Sequence, residues 1–90
     1  MKATAPILYG KERLIQDIKD FVGEGGNIPF EHGYKPSLNA SEVTSEGIIL
    51  RQPISPKKGR KMSFEEMDEK MLTNVILELF RYYNYCHLYA

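Results

Sequence analysis

The chain has 90 residues, 42% of them hydrophobic and 27% charged, and its twelve basic and twelve acidic residues cancel to zero formal net charge. A chain of this length is read as a single domain with a limited core, and its neutral balance argues against binding nucleic acid or membrane by overall charge. The one cysteine excludes an internal disulfide and suggests a reducing, cytoplasmic setting, while no run approaches a signal-peptide core or the ~18 apolar residues of a membrane span.

In chain order, Ala5 to Tyr9 reads as a short extended segment. Residues 11 to 22 follow. Leu14, Ile15, Ile18, Phe21 and Val22 fall at offsets 0, 1, 4, 7 and 8, one apolar stripe of an amphipathic helix. Gly10 is an acceptable N-cap, and Gly23 a natural stop. The Gly23 to Asn27 stretch is glycine-rich. A phosphate cradle needs such glycines between a strand and a helix start. Here they follow a helix, so they read as a stop and a turn.

Residues 28 to 46 carry little pattern. Ile28, Phe30 and Tyr34 anchor a loop or a short strand, and Pro29 and Pro36 confine any strand to an edge. Ser37 to Glu46 is polar and reads as a surface loop. Gly47 to Gln52, with Ile48, Ile49 and Leu50, is the best strand candidate. It is expected in a small antiparallel β element around 47–53. Its partner would come from residues 6–9, 28–31 or 42–45.

Lys57, Lys58, Arg60 and Lys61 surround Gly59 just ahead of a helix start. Cations beside free helix N–H groups hold phosphate. These four are therefore the candidate site for an anion, a phosphate-bearing small molecule such as a nucleotide, or nucleic acid. Glu65, Glu66, Asp68 and Glu69 oppose that reading, because they would repel an anion or take up the cations themselves.

The last element is the longest. From Met62 to Ala90 there is no Gly and no Pro. Ser63 and Glu66 fit a capping box, and the acidic residues after Ser63 suit a helix N-terminus. Met71, Val75, Leu79, Tyr82, Cys86 and Tyr89 then recur at helical spacing. From Val75 onward the stripe widens to Ile76, Leu77, Phe80 and Tyr83, so more than one side needs cover. A helix over 64–88 would span about 37 Å at ~1.5 Å per residue. It would overhang a domain of this size. A break near Asn84, with the rest folding back, is the other reading.

The fold class expected is therefore α+β: helices at about 11–22 and 64–88 packed with the small β element. Leu77, Phe80, Tyr82, Tyr83, Tyr85 and Tyr89 are the candidate interface, because aromatic side chains dominate protein contacts. Base stacking by these tyrosines is disfavoured, since only Arg81 accompanies them. Cys86 and His87 are adjacent on a helix and point about 100° apart, so they make no thiolate–base pair. Cys86 reads as a packed core residue. His32 lies in a loop-like stretch without a nucleophile or a metal spacing. No catalytic residue, metal site or cofactor is assigned. The function expected is non-catalytic: a homo-oligomer formed through the C-terminal helix, with another protein as a further partner and no membrane. Its alternative is the anion, nucleotide or nucleic-acid binder.

Overall fold

The computed structural model describes residues 7–51 and 59–89. Its elements are α1 (Gly10–Val22), β1 (Asn27–Pro29), β2 (Ala40–Thr44), β3 (Gly47–Leu50), β4 (Lys61–Ser63), a 3-10 turn (Phe64–Glu66) and α2 (Glu69–Tyr89). The strands form one antiparallel sheet in chain order, β1-β2-β3-β4. This is an α+β domain of two helices and a sheet, as the sequence suggests.

Register explains the sheet's two faces. Ile28, Val43, Ile48 and Met62 stand opposite one another across the four strands. They turn the same way and pack into the core with Ile18, Phe64, Met67, Leu72, Val75 and Leu79. The next row, Pro29, Glu42, Ile49 and Lys61, turns to the other face. The sheet is larger than the sequence indicates. The offered partner 42–45 does pair with β3, but β2 begins earlier, at Ala40, in the stretch otherwise read as a polar loop, with a register irregularity between Ala40 and Glu42. This bulge lets Ala40 and Val43, three residues apart, both be buried. Strict alternation would have sent one of them outward. β4 is three residues long, too short to show a period.

Both sheet edges are closed to further pairing. In β1, the inward-bonding groups include Gly26 O and Phe30 N–H, so Pro29 lies on the outward side, where it has no N–H to offer. In β4, Phe64 N–H and Arg60 O bond inward to Glu46 O and Leu50 N–H. Ser63 N–H points outward and donates to the Glu66 carboxylate at 2.9 Å. The capping box thus blunts an edge strand as well.

The β2–β3 hairpin turns on Thr44. Neither Ser45 nor Glu46 has positive φ, so the mirror-image turns common in two-residue hairpins are absent. The Thr44 hydroxyl closes the turn instead. It accepts from Glu46 N–H and Gly47 N–H, each at 3.1 Å, and donates to Gly47 O at 3.0 Å. Gly47 is required by closeness: a Cβ there would lie 2.1 Å from Met62 O and 2.9 Å from Ser63 Cα. Both are backbone atoms, so β4 would have to move away. Gly47→Ala is expected to lose ~1–3 kcal/mol, the usual cost of overpacking. Urea denaturation measures it, and an unchanged midpoint would show that β4 yields freely.

The helix at the C-terminal end differs from the expected 64–88. The Ser63 cap serves the 3-10 turn. Met67 is then extended (φ −94°, ψ 149°), and Asp68 starts α2 afresh by accepting from Met71 N–H at 2.8 Å. From there α2 runs through Asn84 to Tyr89 without a break. On α1, Tyr9 is the N-cap in place of Gly10, and Gly23 ends the helix as expected, its N–H reaching Lys19 O.

α1 and α2 run side by side in the same direction. Gly10 lies against the Glu69 carboxylate, and the Phe21 ring meets Phe80 edge-on at 5.4 Å. Each pair is 59 residues apart in the chain, so the two helices keep step along their length. Lys11 Nζ also donates to Glu65 O, fixing their lower ends together.

Candidate functional site

α2 is flanked on two sides. α1 covers one flank, through Ile76, Phe80 and Tyr83. The segment 30–37 covers the other, through Glu78, Tyr82 and Tyr85. Between the two flanks, the outer face of α2 carries Leu77 and Leu88, 54% and 74% exposed.

The second flank is built on a buried carboxylate. Glu78 is 1% exposed and accepts from the Tyr34 hydroxyl at 2.6 Å, the Ser37 hydroxyl at 2.7 Å and Arg81 Nη1 at 3.2 Å. Burial alone would push its carboxyl up. The hydrogen bonds from Ser37 and Tyr34, with the charge of Arg81, outweigh burial and hold it below the usual carboxylate value. Tyr34 is pushed up to about 12, first by burial and then by the Glu78 carboxylate that its proton serves.

Two further tyrosines tie the same segment. The Tyr82 hydroxyl accepts from Glu31 N–H at 2.9 Å, and the Tyr85 hydroxyl donates to His32 O at 2.7 Å. Rings of Phe30, Tyr34, Tyr82 and Tyr85 pack with centroids 5.0–5.8 Å apart. His32 has φ +59°, a left-handed conformation unusual for its type. The bond to Tyr85 helps hold it there. This flank positions a loop, and Glu78 lacks the open side at which a substrate would meet it.

On the first flank, the cover by α1 leaves a groove. Phe21 on α1 meets Phe80 and Tyr83 on α2 edge-on, and the Tyr83 ring stacks on His87 at 6.4 Å and 6°. A groove of about 420 Å³ runs between the helices, with Ile18, Ile76 and Leu79 below and Asp17 and Asp20 on the α1 rim. Phe80 is 51% and Tyr83 62% exposed. A second, polar hollow of about 500 Å³ lies where Gly23 and Gly25 approach Ser45 and Glu46. It holds acids and a single lysine, Lys19, and so suits neither a phosphate nor an apolar ligand.

The six candidate interface residues therefore divide. Leu77, Phe80 and Tyr83 share the exposed surface. Tyr82 points inward and Tyr85 toward the 30–37 segment, so both are occupied within the chain. The Tyr89 side chain lies outside the described ones. Glu78 and Phe21 were not candidates. A glutamate in a helix gives no sign of burial, and Phe21 belongs to the inward stripe of α1 by spacing.

Of the four candidate cations, the structure describes two. Lys57 and Lys58 lie outside the described residues. Arg60 is exposed, and Lys61 sits in β4, paired with Glu46 at 3.0 Å. β4, the 3-10 turn and the Asp68 cap all intervene before α2. The free N–H groups that would help hold an anion are thus partly occupied by the protein's own carboxylates.

Among the described residues no group of His, Cys, Asp and Glu is arranged to hold a metal, and no helix is long and apolar enough to cross a membrane. Comparison with protein-family models, with curated proteins and with solved structures gives no match.

Proposed function

We propose that this is a non-catalytic, cytoplasmic binding protein that self-associates through the exposed face of α2 and the adjoining edge of α1. The observation that carries this reading is the exposed ring cluster of Phe21, Phe80 and Tyr83, with Leu77 and Leu88 also exposed on the outer face of α2. Monomers rarely leave so many large side chains together in water. Both sheet edges are blunted, so strand addition is the weaker route to assembly.

Light scattering after size exclusion tests it. The wild-type chain is expected to elute as an oligomer that dissociates on dilution. Phe80→Glu places a charge at the centre of the surface and is expected to weaken association at least tenfold, about 1.4 kcal/mol. Its fold should persist, because half of Phe80 is already in water. A wild-type chain that stays monomeric at millimolar concentration would end this reading. The basic residues around Gly59 would then be the next place to look for a ligand.

A further inference from the structure

We infer that the occupant of this surface is a second copy of the chain, related by a twofold axis parallel to α1 and α2, so that Arg81 of each copy meets Asp20 of the other. The inference rests on the self-association proposed above and specifies its geometry.

The argument is one of charge placement. Across the outer face, the order is Asp17 and Asp20 on α1, an apolar centre, and a single cation, Arg81, on the far flank of α2. Asp20 on α1 is hydrogen-bonded to the neutral Gln16 amide at 2.8 Å, and Asp17 beside it pairs with Arg13 at 3.5 Å. Arg81 projects from the opposite side of α2; one Nη pairs with the buried Glu78 carboxylate at 3.2 Å, and 60% of the side chain stays exposed, with donors left for a second acceptor. One chain cannot bring Asp20 and Arg81 together, because the Phe21–Phe80 contact and the Leu77 ridge lie between them.

The helices keep step, so Asp20 stands level with Leu79, two residues below Arg81. That is about 3 Å along the axis, within the reach of an arginine side chain. A twofold axis parallel to the helices preserves level and exchanges the flanks. It sets each acidic flank against the other copy's Arg81 and stacks the apolar centres. A twofold axis across the helices would instead oppose Asp17 and Asp20 to themselves, and like charges across an interface are costly. A basic partner protein would suit Asp20 and repel Arg81. A second copy satisfies both.

The area is adequate too. The exposed parts of Phe21, Leu77, Phe80, Tyr83 and Leu88 offer on the order of 500 Å² per chain. With the charged flanks added, this nears the ~800 Å² per partner of an ordinary interface.

Charge reversal tests the geometry in sedimentation equilibrium. Asp20→Arg and Arg81→Asp each set like charges opposite each other and are expected to weaken self-association tenfold or more. An equimolar mixture of the two variants restores both pairs, so a heterodimer close to wild-type affinity is expected. Arg81 also serves Glu78, and its reversal can disturb folding, so a second measurement avoids charge reversal. In a Cys86→Ser background, chains carrying Asp20→Cys are mixed with chains carrying Arg81→Cys and oxidised. A disulfide between the two kinds of chain is expected, in excess over Asp20→Cys dimers. A wild-type monomer overturns the self-association reading and this geometry with it. A wild-type oligomer whose variants neither repel, rescue nor cross-link overturns the geometry alone.

Discussion

Glu78→Ala is expected to cost about 3–5 kcal/mol of folding stability, the range found when one member of a buried charged network is removed. The substitution leaves the Tyr34 and Ser37 hydroxyls without their acceptor and releases Arg81 from its partner. A domain of this size has roughly 5–13 kcal/mol in total, so about a quarter or more would be lost. Glu78→Gln should cost less, because one amide oxygen still accepts. The pH dependence has a definite sign. The folded carboxyl sits below its ordinary value, so its contribution is complete above the usual 4.5 and fades as pH falls through the lower folded value. The gap between wild type and Glu78→Ala should therefore be constant from pH 7 to 5 and narrow in stronger acid. At the alkaline end, Tyr34 is raised from 10.0 to about 12. Its contribution is complete below pH 10 and is lost as pH climbs toward 12. Denaturation curves across this range check both arms. A gap that widens in acid would contradict the assignment of Glu78 as an ionised acceptor.

Phe64→Ala is the second large loss, again about 3–5 kcal/mol. Phe64 is fully buried and begins the turn that joins sheet to helix. Its N–H reaches Glu46 O at 3.2 Å, and its carbonyl receives Met67 N–H at 3.1 Å. The backbone there is fixed on both sides, so it cannot readily close over the cavity. Phe80→Ala provides the contrast. That ring is half in water and should cost under ~1 kcal/mol in the monomer. Similar losses at both positions would mean that the Phe80 surface is already covered in the sample.

The sequence reveals some of these features and conceals others for physical reasons. α1 shows in the sequence because five apolar residues share one stripe, and β3 because Ile48, Ile49 and Leu50 sit together. β2 shows only as one of three possible partners for β3, because its bulge replaces alternation with a spacing of three. The capping box at Ser63 is visible, but Met67 turns extended and separates it from the long helix. The main stripe of α2 includes Tyr82, which is buried, but nothing in the spacing tells that Tyr85 is engaged as well. The 30–37 segment decides that by occupying one flank of α2. Glu78 is hidden for the same reason, since the Tyr34 and Ser37 hydroxyls that donate to it lie more than 40 residues away.

The order of the strands has a consequence for how the chain is made. Each strand pairs with its neighbour in sequence, so hairpins can close as soon as they leave the ribosome. The row Ile28, Val43, Ile48 and Met62 cannot be covered fully until α2 has been synthesised, because α2 supplies Leu72, Val75 and Leu79 to that face. Until α2 docks, the sheet has a bare oily side. Contacts between α1 and α2 close a loop of nearly 60 residues, and non-local contacts of this kind form late. A chain whose hairpins have closed before α2 docks is therefore the most aggregation-prone form of this protein, and that is the form a chaperone would be expected to bind.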